Sequence, residues 1–112
     1  MVTLINVFEM HSDHVDAFIE QWRERAEMMS TKPGFLNSHL HRALSPDAKF
    51  QIVNVAHWES ADAMEAATAD PEFQRRIRAV TANVEKPVSA HPALYAVAVE
   101  LSQPNPDRVE DQ

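Results

Sequence analysis

A chain of 112 residues holds one domain with a single core, so an active site must lie inside that core or between two copies of it. A formal charge of −7, from 10 Lys and Arg against 17 Asp and Glu, argues against the basic face of a nucleic-acid binder. The absence of Cys excludes disulfides, a thiolate nucleophile and Cys-based zinc or iron–sulfur centres.

Residues 2–9 are β-branched and apolar and read as a first strand. Ser12 is the expected cap of a helix whose apolar positions Val15, Phe18, Ile19, Trp22, Ala26 and Met29 recur at three- and four-residue steps. Lys32-Pro33-Gly34 stops it. Residues 35–44 and 49–58 read as an antiparallel hairpin turned by Ser45-Pro46-Asp47-Ala48. Ser60 and Asp62 open a short helix carrying Ala63, Met64 and Ala67, and Asp70-Pro71 opens another with the stripe Phe73, Ile77, Val80 and Val84. The apolar run 93–99 reads as a buried fourth strand. Residues 1–101 are expected to form the domain, and 102–112, with Pro104 and Pro106, a mobile tail. The opening residues show neither a basic leader nor a cleavage site, and no apolar run reaches bilayer length, so the expectation is a cytoplasmic protein off the membrane.

The order strand, helix, strand, strand, helix, strand is the split βαβ arrangement of an α+β, ferredoxin-like domain with a four-stranded antiparallel sheet. Alternation assigns Leu4, Phe8, Phe35, Ile52 and Trp58 to one face, and Ile5, Val7, Leu36, Leu40, Val53 and Val55 to the other. Helices cover only one of these apolar faces. The other calls for a partner, and a homodimer through Ile5, Val7, Val53 and Val55 is expected.

Strand three also places Asn54 and Trp58 on one side, and Asn6 holds the equivalent position between Leu4 and Phe8. Two amides and an indole N–H in an apolar wall are either bonded to nearby backbone as part of the core or form a polar site. The residue pattern alone favours the first of these, the bonded core.

The stretches Leu4-Ile5-Asn6-Val7-Phe8, Pro33-Gly34-Phe35 and Val53-Asn54-Val55-Ala56-His57-Trp58-Glu59-Ser60 together resemble the antibiotic biosynthesis monooxygenase family over about residues 2–101. The resemblance implies a dimeric α+β barrel. Within the family the motifs are most similar to small cofactor-independent oxygenases of aromatic polyketide pathways, which convert anthrone-type phenols to quinones with molecular oxygen. By that match Asn6, Asn54 and Trp58 are the catalytic candidates, lining the pocket of a small aromatic substrate. Phe8, Phe35, His39, Met64 and Arg78 are the substrate-binding candidates. Met64 stands where such enzymes carry a Tyr, and Arg78 is the nearest counterpart of an Arg they place farther along.

Haem-degrading relatives of the same fold ligate iron through a His on the helix after strand three. This chain has no His between His57 and His91, with Arg76 and Ile77 in the ligand region and Ala67 near the position of a haem-ruffling Trp, so no haem is expected. His11 and His14 flank a helix start, and His39 and His41 share a strand face, assigned to the cavity side with Phe35 and Asn37. Neither pair has a third ligand nearby in the sequence, so no metal is expected. The function expected is therefore a cofactor-independent monooxygenase acting on an electron-rich polycyclic phenol, anthrone or hydroquinone. A non-catalytic small-ligand or interaction module of the same fold is the alternative.

Overall fold

A computed structural model describes residues 1–81 and 88–104. Four strands, β1 (Val2–Glu9), β2 (Phe35–Arg42), β3 (Phe50–Trp58) and β4 (Ser89–Tyr95), form one antiparallel sheet in the order β2-β3-β1-β4. Three helices, α1 (Val15–Met29), α2 (Ala61–Thr68) and α3 (Pro71–Thr81), complete the α+β ferredoxin-like fold.

Local chemistry accounts for most element ends. Ser60 caps α2 by accepting from the Ala63 N–H at 3.1 Å, and Asp70 caps α3 by accepting from the N–H groups of Glu72 and Phe73 at 2.8 and 3.3 Å. Asp70 also holds Lys32 at 2.7 Å, tying the end of α1 to the start of α3. The cap expected at Ser12 falls one residue earlier. His11 accepts from the Asp13 N–H, and Ser12 begins a short 3₁₀ turn that leads into α1. Gly34 adopts φ +88°, and a Cβ there would stand 2.5 Å from the Ala63 Cβ, so both its conformation and its contact with α2 require glycine.

Two expectations about the strands change. The fourth strand runs from Ser89 to Tyr95 rather than across 93–99, and all its residues are exposed. It is an outer strand selected by pairing with β1, and Pro92 fits there because an edge tolerates a missing N–H. Val97, Val99 and Leu101, beyond it, are exposed as well. The second change lies in β2. Phe35 pairs with Trp58 but Asn37 pairs with His57, so Leu36 is an extra residue and the register shifts. Beyond the bulge Ser38 and Leu40 lie beside Ala56 and Asn54 on the helix-covered face, and Asn37, His39 and His41 lie on the other face. Leu40 accordingly packs on the core instead of facing outward.

Two buried clusters sit beneath the helices. One gathers Phe8, Met10, Val15, Phe18 and Ile52; the other gathers Met29, Ala56, Trp58 and Ala67. Burial of each large side chain among these contributes about 1.5–3 kcal/mol. The opposite sheet face carries Ile5, Val7, Val53 and Val55, all half-buried, with none of the described helices over them. The side chains of Val80 and Val84 and the tail beyond Pro104 lie outside the described residues.

Candidate active site

A cavity of about 350 Å³ lies between the sheet and the helices, walled by members of both clusters. Its lining is mostly apolar, with a few polar groups set into it, the usual constitution of a small-molecule site. Asn6 and Asn54 stand side by side on β1 and β3, with Ala56 and Trp58 following along β3 on the same face. Phe35 meets the Trp58 ring edge-on at 5.2 Å.

The polar groups are held differently. Ser38 donates to Asn54 Oδ1 at 2.7 Å, which fixes the carboxamide and leaves its NH₂ as the open donor. Trp58 Nε1 and Asn6 Oδ1 are buried, and neither has a hydrogen-bond partner. An orphaned donor and an orphaned acceptor each forfeit about 1–3 kcal/mol of lost hydration, a cost tolerated where function requires it. Here both lie in one cavity wall.

The helices supply the facing wall. Phe18, Trp22, Arg25 and Met29 come from α1, Met64 from α2, and Phe73 and Ile77 from α3. The Arg25 guanidinium lies 5.7 Å from the Phe18 ring centre and 5.2 Å from that of Trp22. Burial, and secondarily the positive charge of Arg76, lower its pKa from the usual arginine value.

Of the residues singled out from the sequence, Asn6, Asn54, Trp58, Phe8, Phe35 and Met64 all line this cavity. His39 does not. The Leu36 bulge turns it to the face away from the helices, beside Val55. Arg78 is not among the lining residues either; it is exposed on α3, whose cavity side presents Phe73, Gln74 and Ile77. Arg25 and Ser38 were missed. Arg25 sits seven residues after Phe18 and three after Trp22, so it falls within the helical stripe and a charge there was the available signal. Ser38 had no such signal, because its inward position depends on the bulge.

Residues 1–79 match the antibiotic biosynthesis monooxygenase family. The chain belongs to that family. An inferred monooxygenase from Shewanella loihica PV-4 is 31% identical, with a TM-score of 0.70 over 88% of this chain and 95% of that one. SnoaB, a cofactor-independent oxygenase from Streptomyces nogalater, is 25% identical, with a TM-score of 0.73 over 91% of this chain and 97% of its own. No curated protein matches the chain. The monooxygenase family fold also extends to the haem degrader MhuD of Mycobacterium tuberculosis, at 24% identity and a TM-score of 0.65 over 91% of this chain and all of that one. The cavity residues here do not fit a haem. None of the described lining residues is His, and the helices after β3 contain none to act as an axial ligand. Among the described residues no cluster of three His, Cys, Asp or Glu side chains is placed to hold a metal, and no helix is long and apolar enough to cross a membrane.

Proposed function

We propose that this domain is a cofactor-independent oxygenase of electron-rich polycyclic phenols, anthrones or hydroquinones, with the cavity as its active site and molecular oxygen as co-substrate. Support comes above all from the unpartnered Trp58 N–H and Asn6 Oδ1 beside the open Asn54 amide, three polar groups on one face of the sheet inside an apolar cavity. Likeness to SnoaB, a cofactor-independent oxygenase, supports the reaction class.

The chemistry asks little of the protein. An anthrone methylene loses a proton, the resulting carbanion passes one electron to oxygen, and the radical pair joins through a new C–O bond as a hydroperoxide. Loss of water then leaves the carbonyl of the quinone, so CH₂ and O₂ become C=O and H₂O. Asn54 and Trp58 donate hydrogen bonds to the oxyanion formed on deprotonation or to the peroxide, and Asn6 accepts from a substrate hydroxyl. The aromatic and aliphatic walls exclude water, which strengthens those bonds.

The working unit in this proposal is a cytoplasmic homodimer joined through the uncovered sheet face of Ile5, Val7, Val53 and Val55. An apolar face of that kind, together with the exposed Val97, Val99 and Leu101, is the surface a second copy would cover. Sedimentation at micromolar concentration should give a dimer, and a monomer would overturn this part.

The decisive experiment is oxygen uptake with a panel of anthrones and hydroquinones in the presence of a chelator and without flavin. Quinone formation with stoichiometric oxygen use is expected. Tight binding of the same compounds without oxygen uptake would favour the non-catalytic ligand-binding module.

A further inference from the structure

Among the described lining residues of the cavity, Arg25 is the one with a formal charge. It is only 6% exposed, and no carboxylate among the described residues pairs with it. The Glu72 carboxylate on α3 is divided between Arg75 and Arg76, at 2.6 and 2.8 Å, and so is committed elsewhere. A guanidinium removed from water is costly unless it is paired and hydrogen-bonded, and the faces of Phe18 and Trp22 offset only part of that cost. A protein of net charge −7 has thus set into the wall of an apolar cavity a cation that no described carboxylate compensates.

We propose that Arg25 seats an oxyanion of the substrate, a carboxylate or a phenolate on its aromatic frame, and so decides which edge of the frame meets Asn6, Asn54 and Trp58. The inference rests on the cavity being the substrate site, as put forward above. Arg25 enters from α1 and the amides from the sheet, so the anchored edge and the reacting edge lie against opposite walls. The planar guanidinium offers a fork of donors that matches a carboxylate, while Phe18 and Trp22 line the cavity beside it. A neutral ligand of the same shape would leave the cation unpaired. Discrimination should therefore be strong, as it is wherever a site's buried polar group loses its partner.

Quenching of tryptophan emission reports occupancy directly, since Trp22 and Trp58 both line the cavity. The probes are anthraquinone-2-carboxylate, its neutral carboxamide, and a hydroxyanthraquinone measured on both sides of its phenol ionisation. The native protein should bind the carboxylate, or the phenolate, at least about tenfold more tightly than the matching neutral form. Whichever probe shows the advantage identifies the oxyanion. Arg25→Gln should abolish the preference while still binding the carboxamide, and Arg25→Lys should retain part of it. Equal affinities for charged and neutral forms in the native protein, or an undiminished preference in Arg25→Gln, would overturn the inference and leave the substrate cavity standing. Failure of every probe to bind would overturn both. The comparison of probes in the native protein holds even if Arg25→Gln does not fold.

Discussion

Gln51 and Asn54 are buried amides three residues apart on one strand, yet they are treated in opposite ways. Gln51 occupies the register shift at the start of β3, where its Nε2 donates to the carbonyls of Ser45, Pro46 and Ala48 at 3.1, 3.2 and 2.7 Å. It closes the β2–β3 hairpin. Asn54 has its oxygen tied by Ser38 and its NH₂ left open, next to the orphaned Asn6 Oδ1 and, farther along the strand, the orphaned Trp58 Nε1. A folding domain could have satisfied these groups as it satisfied Gln51, or replaced them with aliphatic side chains. The contrast separates polar groups whose partners are the fold from polar groups whose partners must arrive from outside.

The sharpest test of that contrast is to remove the open groups. Trp58→Phe and Asn54→Ala should each retain the fold and lower the oxidation rate of a confirmed substrate by roughly ten- to a thousandfold, the usual cost of one transition-state hydrogen bond. Parent rates from two folded variants would break the distinction and return both residues to the core. Gln51→Ala should do the reverse. Chemical denaturation should show a loss of about 1–3 kcal/mol from the three opened carbonyls, with kcat per folded molecule unchanged.

Ser38 sharpens the boundary between the two kinds, since it is a fold group whose one visible task is to orient a cavity group. Ser38→Ala should lower kcat by about two- to tenfold through a misdirected Asn54, and Ser38→Thr, which keeps the hydroxyl, should recover most of it. A structural role alone would shift stability without this rescue of rate. The smallest effect is expected at Asp70, whose partners, like those of Gln51, are all internal. The hydrogen bond from Lys32, with those from the Phe73 and Glu72 amides, holds its carboxyl below the usual value despite opposing desolvation. A carboxyl with a lowered folded pKa stabilises above its unfolded pKa, near 4, and loses that contribution as the pH falls through the folded value. The melting temperature of the native protein should thus fall more than that of Asp70→Asn on acidification from pH 5 to 3, with no difference in rate at neutral pH.

Much of this arrangement is readable from the residues, for identifiable reasons. The caps at Ser60 and Asp70 are local hydrogen bonds, and the face shared by Asn54 and Trp58 follows from unbroken alternation along β3. Where alternation is interrupted the reading fails. The extra residue at Leu36 carries no Gly or Pro to announce it, so it hides the inward turn of Ser38 and assigns His39 to the wrong side. The boundary of β4 is not legible in the apolar run 93–99, because an outer strand is chosen by its hydrogen bonds to β1 rather than by its apolarity. Arg25 was visible as a charge at stripe spacing, but long cationic side chains commonly escape to solvent from such positions, and only the packing against Phe18 and Trp22 shows that this one does not.

The bulge at Leu36 has a consequence for how this strand can change length. Losing one residue from a strand normally inverts every side chain beyond the deletion, because the pleat repeats every two residues. In β2 the residue in excess is Leu36 itself, which is 45% exposed and has no partner opposite it on β3. Its excision would join Phe35 directly to Asn37, in the pairings with Trp58 and His57 that they already hold, and would leave Ser38 against Ala56. A deletion of His39 or Leu40 would instead bring the His41 imidazole into the inward place opposite Asn54 that Leu40 holds. Among homologous chains, single-residue length variation in this strand should therefore gather at the position of Leu36 and be absent between Ser38 and His41.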